Sequence, residues 1–149
     1  MEKETTLMKD APDILLVDDN PADVGLTREV LAASTHHSSI HSVPDGEEAI
    51  SFLRRRGKYT EVARPDLVVL DLNMPRKGGQ AVLAEVKTDP SLRTIPIVVF
   101  TTSHADKDIT HSYELGANCY ISKPGNLGDF FSAVQSIEEF WFGFTSLPH

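Results

Sequence analysis

Five short apolar segments recur along the chain at a spacing of roughly 27 residues, and this rhythm limits the possible folds more than any other feature. They are Ile14–Val17, Ile40–Val43, Leu67–Leu70, Ile95–Phe100 and Cys119–Ser122. Most lack the polar alternation of a strand with one wet face, which is typical of strands buried on both faces of a sheet. Polar residues interrupt the second segment, which is therefore the weakest of the five.

Helical patterns fill the intervals between these segments. They cover Pro21–Ala33, Asp45–Arg56, Gly79–Thr88, Asp106–Leu115 and Leu127–Trp141. The first begins with Pro21 after Asn20, and the second begins with Asp45 followed by two glutamates; both are typical helix starts. Strand and helix thus alternate five times, which predicts the α/β class: a (βα)5 doubly wound parallel five-stranded sheet with right-handed crossovers.

Charged or hydroxylated side chains stand directly after four of the five apolar segments. Asp18 and Asp19 follow the first, Asp71 the third, Thr101 the fourth and Lys123 the fifth. The carboxyl ends of parallel strands meet at one edge of a sheet, where open α/β folds place their ligand crevice. The sequence therefore predicts that these side chains converge.

Three carboxylates, a hydroxyl and an ammonium suit a site that accepts a phosphoryl group on Asp71 beside a divalent cation. Mg²⁺ (or Mn²⁺) prefers carboxylate, carbonyl and water oxygens, and a cation offsets the repulsion between a carboxylate and an anionic donor. Lys123 would pair with the phosphoryl oxygens, and Thr101 would donate its hydroxyl to them. Taken singly, each residue is equally typical of a helix cap, a loop or a solvated surface; their joint placement favours the site.

Four motifs carry a resemblance to a known family: Leu16–Asn20, Leu70–Pro75, Val99–Ser103 and Tyr120–Pro124. In this order they resemble the receiver domain of two-component response regulators, over residues 12–141. The resemblance implies a flavodoxin-like sheet with strand order 2-1-3-4-5. It also implies a function: a single-domain response regulator that takes a phosphoryl group from a sensor histidine kinase and signals by a conformational switch.

The resemblance further implies which groups hold the metal. Asp19 would bind Mg²⁺ directly and Asp18 largely through water. Asp71 would be both a metal ligand and the phosphoacceptor, and the backbone carbonyl of Asn73 would supply another oxygen.

The resemblance assigns the switch as well. Thr101 would be the switch hydroxyl, Tyr120 the switch aromatic and Lys123 the phosphoryl-binding cation, with a cis bond between Lys123 and Pro124. Two positions depart from the family pattern. Gly78 stands where an acidic or amide residue is usual, which predicts a looser loop after Asp71, and Thr102 replaces a small residue and would narrow access to the phosphoryl group.

Softer signals resemble the small regulators of bacterial, cyanobacterial-type phytochrome histidine kinases, so a phytochrome is the expected kinase. They are Arg64–Leu67, Thr101–His104, Tyr113–Leu115, Asn118–Tyr120 and the pair Phe140–Trp141. Two other functions remain open. An aspartate-nucleophile phosphatase would use a similar strand-end aspartate, although Asp71-Leu72-Asn73 lacks that class's second acid. A dimeric scaffold that works without phosphorylation is the other.

The carboxyl-terminal segment is unusually aromatic. Phe140, Trp141, Phe142 and Phe144 occupy four of five consecutive positions, and Phe130 lies on the apolar stripe of the preceding helix. One helix face cannot bury them all, and exposed aromatic clusters mark partner surfaces. We therefore expect a homodimer formed by the fourth helix, fifth strand, fifth helix and tail. The alternative is a tail folded back over its own core.

Length and composition set the remaining limits. The 149 residues predict one domain. The resemblance implies a receiver domain at 12–141, which leaves a flexible N-terminus at 1–11 and an aromatic tail at 142–149. The net charge of −8 disfavours nucleic acid and anionic membranes as partners. No apolar run is long enough to span a bilayer, and a lone cysteine fits a cytoplasmic protein. No enzymatic turnover is expected beyond self-phosphorylation and self-dephosphorylation.

Overall fold

The computed structural model describes residues 11–148, except for the side chain of Phe144. The flexible segment predicted at 1–11 therefore lies outside the described residues, apart from Ala11. No helix within the described part of the chain is both long and apolar enough to cross a bilayer.

Five parallel strands form one sheet in the order β2-β1-β3-β4-β5, which confirms the predicted fold. The strands are β1 (Asp13–Val17), β2 (Ser39–Val43), β3 (Leu67–Leu70), β4 (Ile97–Thr101) and β5 (Cys119–Ser122). The helices are α1 (Pro21–Ala32), α2 (Gly46–Leu53), α3 (Gly79–Thr88), α4 (Asp106–Glu114) and α5 (Leu127–Glu138). A short 3₁₀ turn (Gly57–Tyr59) follows α2, and a π-helical segment (Glu139–Phe144) continues α5.

Helices cover both faces of the sheet, so the strands are apolar on both sides. Leu15 and Val17 of β1 face a core layer shared with α2 and α3. Ile14 and Leu16 face the opposite layer, shared with α1 and α5. This two-sided burial explains why the central strands carry unbroken apolar runs.

Element ends differ slightly from the sequence prediction, for local reasons. β4 begins at Ile97 because Pro96 has no N–H to donate to the ladder. α2 ends at Leu53 because Arg55 adopts a left-handed φ of 55°. α5 ends at Glu138, where the π-helical segment takes over and includes Trp141.

The loop after Asp71 is hydrogen-bonded to its neighbours, and its looseness stays a prediction. The N–H of Gly79 donates to the carbonyl of Leu72 (3.1 Å), and the N–H of Gly46 donates to the carbonyl of Lys77 (3.0 Å). Gly79 is so tightly enclosed that a Cβ there would lie 2.2 Å from the Asp71 carbonyl oxygen. These contacts fix the loop against β3 and the start of α2.

The predicted cis bond before Pro124 is wrong, because no peptide bond among the described residues is cis. Lys123 nevertheless reaches the strand-end acids, since its backbone is fixed by a hydrogen bond from its N–H to the carbonyl of Thr101 (2.6 Å).

Candidate phosphoacceptor and metal site

The sheet register gathers the strand-end residues at one edge. Val17 pairs with Leu70, and Leu70 pairs with Val99 on the next strand. Thr101 pairs with Ser122 at the far side. Asp71 continues the ladder by donating its N–H to the carbonyl of Val17 (2.9 Å). The residues that follow these strands therefore start from adjacent backbone positions.

Asp71 lies at the centre of this edge and is only 7% exposed. Its Oδ1 accepts from the Thr101 hydroxyl (2.7 Å) and from the Asn73 N–H (3.2 Å). Its Oδ2 accepts from Lys123 Nζ (3.3 Å). Both oxygens are thus held by donors that orient the carboxylate toward the crevice, and Thr101 itself is fully buried.

Lys123 ties three acids together. Its side chain is 4% exposed, and Nζ donates to Asp18 Oδ2 and Asp23 Oδ2, each at 2.8 Å, as well as to Asp71. Burial disfavours the charged ammonium, but the hydrogen bonds to Asp18 and Asp23 outweigh it and raise the pKa of Lys123 above its ordinary value. The ammonium has three N–H donors and meets three acceptors, so it is fully satisfied.

Asp18, Asp19 and Asp71 form a set of donors that fits a divalent cation. Each offers a carboxylate oxygen, and these oxygens all lie within 4.8 Å of one another. Burial raises the pKa of Asp18, against the lowering effect of its hydrogen bond from Lys123. Crowded carboxylate oxygens of like charge repel one another, and Mg²⁺ or Mn²⁺ would relieve that repulsion. The Asn73 carbonyl as a further ligand stays a prediction.

Tyr120 links β5 to the loop that follows Thr101. Its hydroxyl donates to the carbonyl of Ser103 (3.1 Å), and the hydroxyl of Ser122 donates to the same carbonyl (3.1 Å). Its N–H donates to the hydroxyl of Tyr113 in α4 (3.1 Å). Burial raises the pKa of Tyr120. The half-buried ring therefore contacts the loop that follows Thr101.

Asp23 belongs to the site but was missed by sequence reasoning. It lies in the first turn of α1, where an acid is ordinary because it complements the helix dipole. Its partner Lys123 is 100 positions away in the sequence, so only the folded chain shows the contact. The available signal was its place one turn after the Asp18-Asp19 pair.

The predicted interface aromatics differ in exposure. Phe130 is 5% exposed and packs on Phe100 within its own core, with ring centroids 5.3 Å apart, so it offers no surface to a partner. Phe140 is 53% exposed. Trp141 and Phe142 are half-buried against the core layer beneath α1 and α5. The side chain of Phe144 lies outside what the structure describes.

Comparisons with known proteins agree with this geometry. A model of the response regulator receiver domain matches residues 14–135. Response regulator Rcp1 of Synechocystis sp. is 49% identical over 135 residues, which cover 91% of this chain and 92% of Rcp1. The chain therefore belongs to the response regulator receiver domain family, whose members are typically signalling proteins.

Two solved structures show that the likeness extends to the phytochrome-linked branch of the family. The phosphorylated cyanobacterial phytochrome response regulator RcpA has a TM-score of 0.91 and 50% identity, over 93% of this chain and 99% of RcpA. The Mn²⁺-bound form of Rcp1 has a TM-score of 0.89 and 48% identity, with the same coverage of 93% and 99%. The protein is thus a receiver response regulator related to phytochrome response regulators.

Proposed function

We propose that Asp71 accepts a phosphoryl group from a phytochrome-type sensor histidine kinase, and that this modification switches the protein between two signalling states. The carrying observation is the position of Asp71, between the Thr101 hydroxyl, the Lys123 ammonium and two further carboxylates. The relatives support the choice of partner, since RcpA is a phosphorylated phytochrome response regulator. Such kinases are phosphorylated from ATP in the cytoplasm, and we therefore propose that this protein is cytoplasmic.

The chain supplies the groups that such a transfer needs. Asp18, Asp19, Asp71 and the Asn73 carbonyl would hold Mg²⁺ or Mn²⁺, which when bound offsets the negative charge of the donor. An Asp71 oxygen forms the new bond to phosphorus as the donor's bond from phosphorus to histidine nitrogen breaks and its electron pair returns to the imidazole. Lys123 and Thr101 then donate to phosphoryl oxygens instead of to the bare carboxylate.

A contiguous set of contacts connects that change to α4. Thr101 ends β4 and is followed by the loop that contains Ser103, whose carbonyl accepts from Tyr120 and Ser122. The Ser103 hydroxyl donates to Asp108 in the first turn of α4 (2.6 Å). Within α4 only Ser112 is buried, so little core packing opposes a shift of this helix. Phosphorylation would therefore bias the position of α4 and the adjoining face of β5.

We also propose a homodimer through α4, β5, α5 and the aromatic tail, with the same surface used on both copies. Large apolar side chains are exposed on these elements: Tyr113 by 49%, Leu127 by 56% and Phe140 by 53%. Phe130 is left out because it is buried. Trp141 would contribute mainly by positioning Phe140, since the two rings make an edge contact with centroids 5.4 Å apart, and the half-buried Phe142 would add its exposed part.

Phosphoryl transfer from a purified phytochrome histidine kinase, charged with radiolabelled ATP, tests the proposal. Wild type should take up label that is released by alkali, as expected of an acyl phosphate, and Asp71→Asn should take up none. Label retained by Asp71→Asn, or absent from wild type with several such kinases, would refute it. A scaffold that works without phosphorylation would bind its partners equally well as Asp71→Asn.

A further inference from the structure

Lys123 is shared between acids of two kinds. Asp18 and Asp71 belong to the group whose oxygens lie within reach of one cation. Asp23 is outside that group, yet its Oδ2 lies 2.8 Å from Lys123 Nζ, as near as Asp18 and nearer than Asp71 at 3.3 Å.

This sharing creates a conflict when a metal binds. When an oxygen of Asp18 or Asp71 binds a divalent cation, one of two costs follows. Either that oxygen gives up its hydrogen bond from the Lys123 ammonium, or the metal and the ammonium lie close together and repel each other. Water cannot readily replace a lost acceptor of the Lys123 ammonium, because the Lys123 side chain is only 4% exposed. A buried ammonium without acceptors is strongly destabilising. Asp23 is the acceptor among these three that the metal group does not need.

We propose that Asp23 is a positioning residue: it retains Lys123 beside Asp71 while Asp18 and Asp71 turn to the divalent cation. The role rests on the function proposed above and deepens it, since it explains how the phosphoryl-binding cation and the metal share one cluster of acids. Asp23 touches neither the reacting atoms nor the metal; it acts through Lys123.

A purely local role for Asp23 makes a different prediction. An acid in the first turn of α1 stabilises the helix dipole, and Asn20 already caps this helix by accepting from the N–H groups of Ala22 and Asp23. If Asp23 had only this role, replacing it would change the metal affinity only through the loss of one negative charge near the site. The matched control for that charge is Glu29→Gln, which neutralises an exposed acid further along the same helix.

Mn²⁺ affinity distinguishes the positioning role of Asp23 from a purely local role. It is measured from the electron paramagnetic resonance signal of the free ion. Asp23→Asn, shown to be folded by circular dichroism, should bind Mn²⁺ about tenfold more weakly than wild type, the size expected for one charge-assisted hydrogen bond. Glu29→Gln should change the affinity by less than about twofold. Equal affinities for wild type and Asp23→Asn would overturn the proposal.

A double-mutant cycle shows whether Asp23 acts through Lys123. In a Lys123→Met background, Asp23→Asn should weaken Mn²⁺ binding no more than Glu29→Gln does. The same tenfold loss in both backgrounds would overturn the proposal, because Asp23 would then act on the metal by its own charge. Mn²⁺ binding needs no kinase, so a wild type that binds the ion in this pattern but takes no phosphoryl group would refute the proposed function and leave the role of Asp23 standing.

Discussion

Lys123 shows at the scale of one residue how the site is built from distant parts of the chain. Its ammonium stays charged in a buried place because acids from the end of β1, the start of α1 and the end of β3 surround it. The backbone N–H bond to Thr101 places it at the edge of the sheet. A residue whose side chain would be solvated elsewhere is thereby fixed beside Asp71.

Gly79 is a second residue that the site depends on, and it gives a direct test of packing. Replacing Gly79 by Ala would put a Cβ 2.2 Å from the Asp71 carbonyl oxygen and 2.7 Å from Leu72 Cα, both backbone atoms that cannot turn aside. We expect Gly79→Ala to lower the free energy of unfolding by roughly 2–3 kcal/mol, as overpacked positions do. Urea denaturation followed by circular dichroism measures it.

Gly78 provides the matched control for that substitution. A Cβ at Gly78 would meet only the Leu72 carbonyl oxygen, at 3.5 Å, which is ordinary contact. Its φ of −73° suits alanine, but Gly78 is the N-cap of α3, where alanine is less favourable than glycine, so Gly78→Ala should be destabilising by less than about 1 kcal/mol. Equal destabilisation by the two substitutions would show that the loop, and not the close approach of Gly79 to Asp71, sets the requirement.

At the scale of elements, the loop between β3 and α3 is fastened to the start of α2. Asp45 is fully buried, caps α2 by accepting from the Glu48 N–H (2.9 Å), and accepts from Arg76 Nε (3.0 Å) and from a second Arg76 nitrogen. Arg76 has a left-handed φ of 62°, which is unfavourable for a residue with a side chain. The ion pair helps hold the loop in this conformation, next to Asp71.

Acid titration tests this connection. Burial acts to raise the pKa of Asp45, but the bonds from the Glu48 N–H and Arg76 outweigh it and lower the pKa below 3.8. A lowered carboxyl pKa stabilises the fold above pH 3.8, and that contribution is lost as the pH falls through the folded-state value. Asp45→Asn, which keeps the cap, should be about 1 kcal/mol less stable than wild type near neutral pH.

The difference in unfolding free energy between wild type and Asp45→Asn should shrink toward zero as the pH is lowered below 3.8, as measured by denaturant unfolding across that range. Arg76→Gln is the companion variant, and it should reproduce the loss near neutral pH while leaving the cap in place. A difference that does not change with pH would mean that the charge of Asp45 adds nothing.

The elements were predictable because their signals are local, whereas the contacts between them were not. Unbroken apolar runs and helix-start residues such as Asn20 and Asp45 identify strands and helices over a few positions. The ends of β4 and α2 depend on one proline and one left-handed arginine, which shift a boundary by only a few residues. The contact between Asp23 and Lys123 requires the full topology, because α1 and the end of β5 meet only once the sheet is assembled.

At the scale of the whole molecule, the acid cluster and the aromatic segment lie at opposite ends of the domain. The acid cluster lies at the carboxyl edge of the sheet, and α5 runs from near that edge back to the opposite one. There, buried Glu138 accepts from the hydroxyls of Ser34 (2.7 Å) and Ser38 (3.0 Å) in the connection between α1 and β2. These bonds fasten the base of the aromatic segment to the body of the domain. The exposed ring of Phe140 therefore lies on a segment whose base is held in place.

A substitution at Phe140 is therefore the most direct test of the proposed dimer. Phe140→Ser removes a ring that is 53% exposed and packs mainly against Trp141, so the monomer should lose less than about 1 kcal/mol of stability. If the ring is buried between two copies, dimer dissociation should become at least about tenfold easier, since buried aromatic anchors dominate interfaces. Sedimentation velocity over a concentration series measures this change. Glu61→Gln, at an exposed position outside α4, β5, α5 and the tail, is the control and should leave the dimer intact. An unchanged dissociation constant in Phe140→Ser would show that the dimer contact lies elsewhere. A half-exposed ring stabilises a dimer only when its exposed surface becomes buried between the two copies.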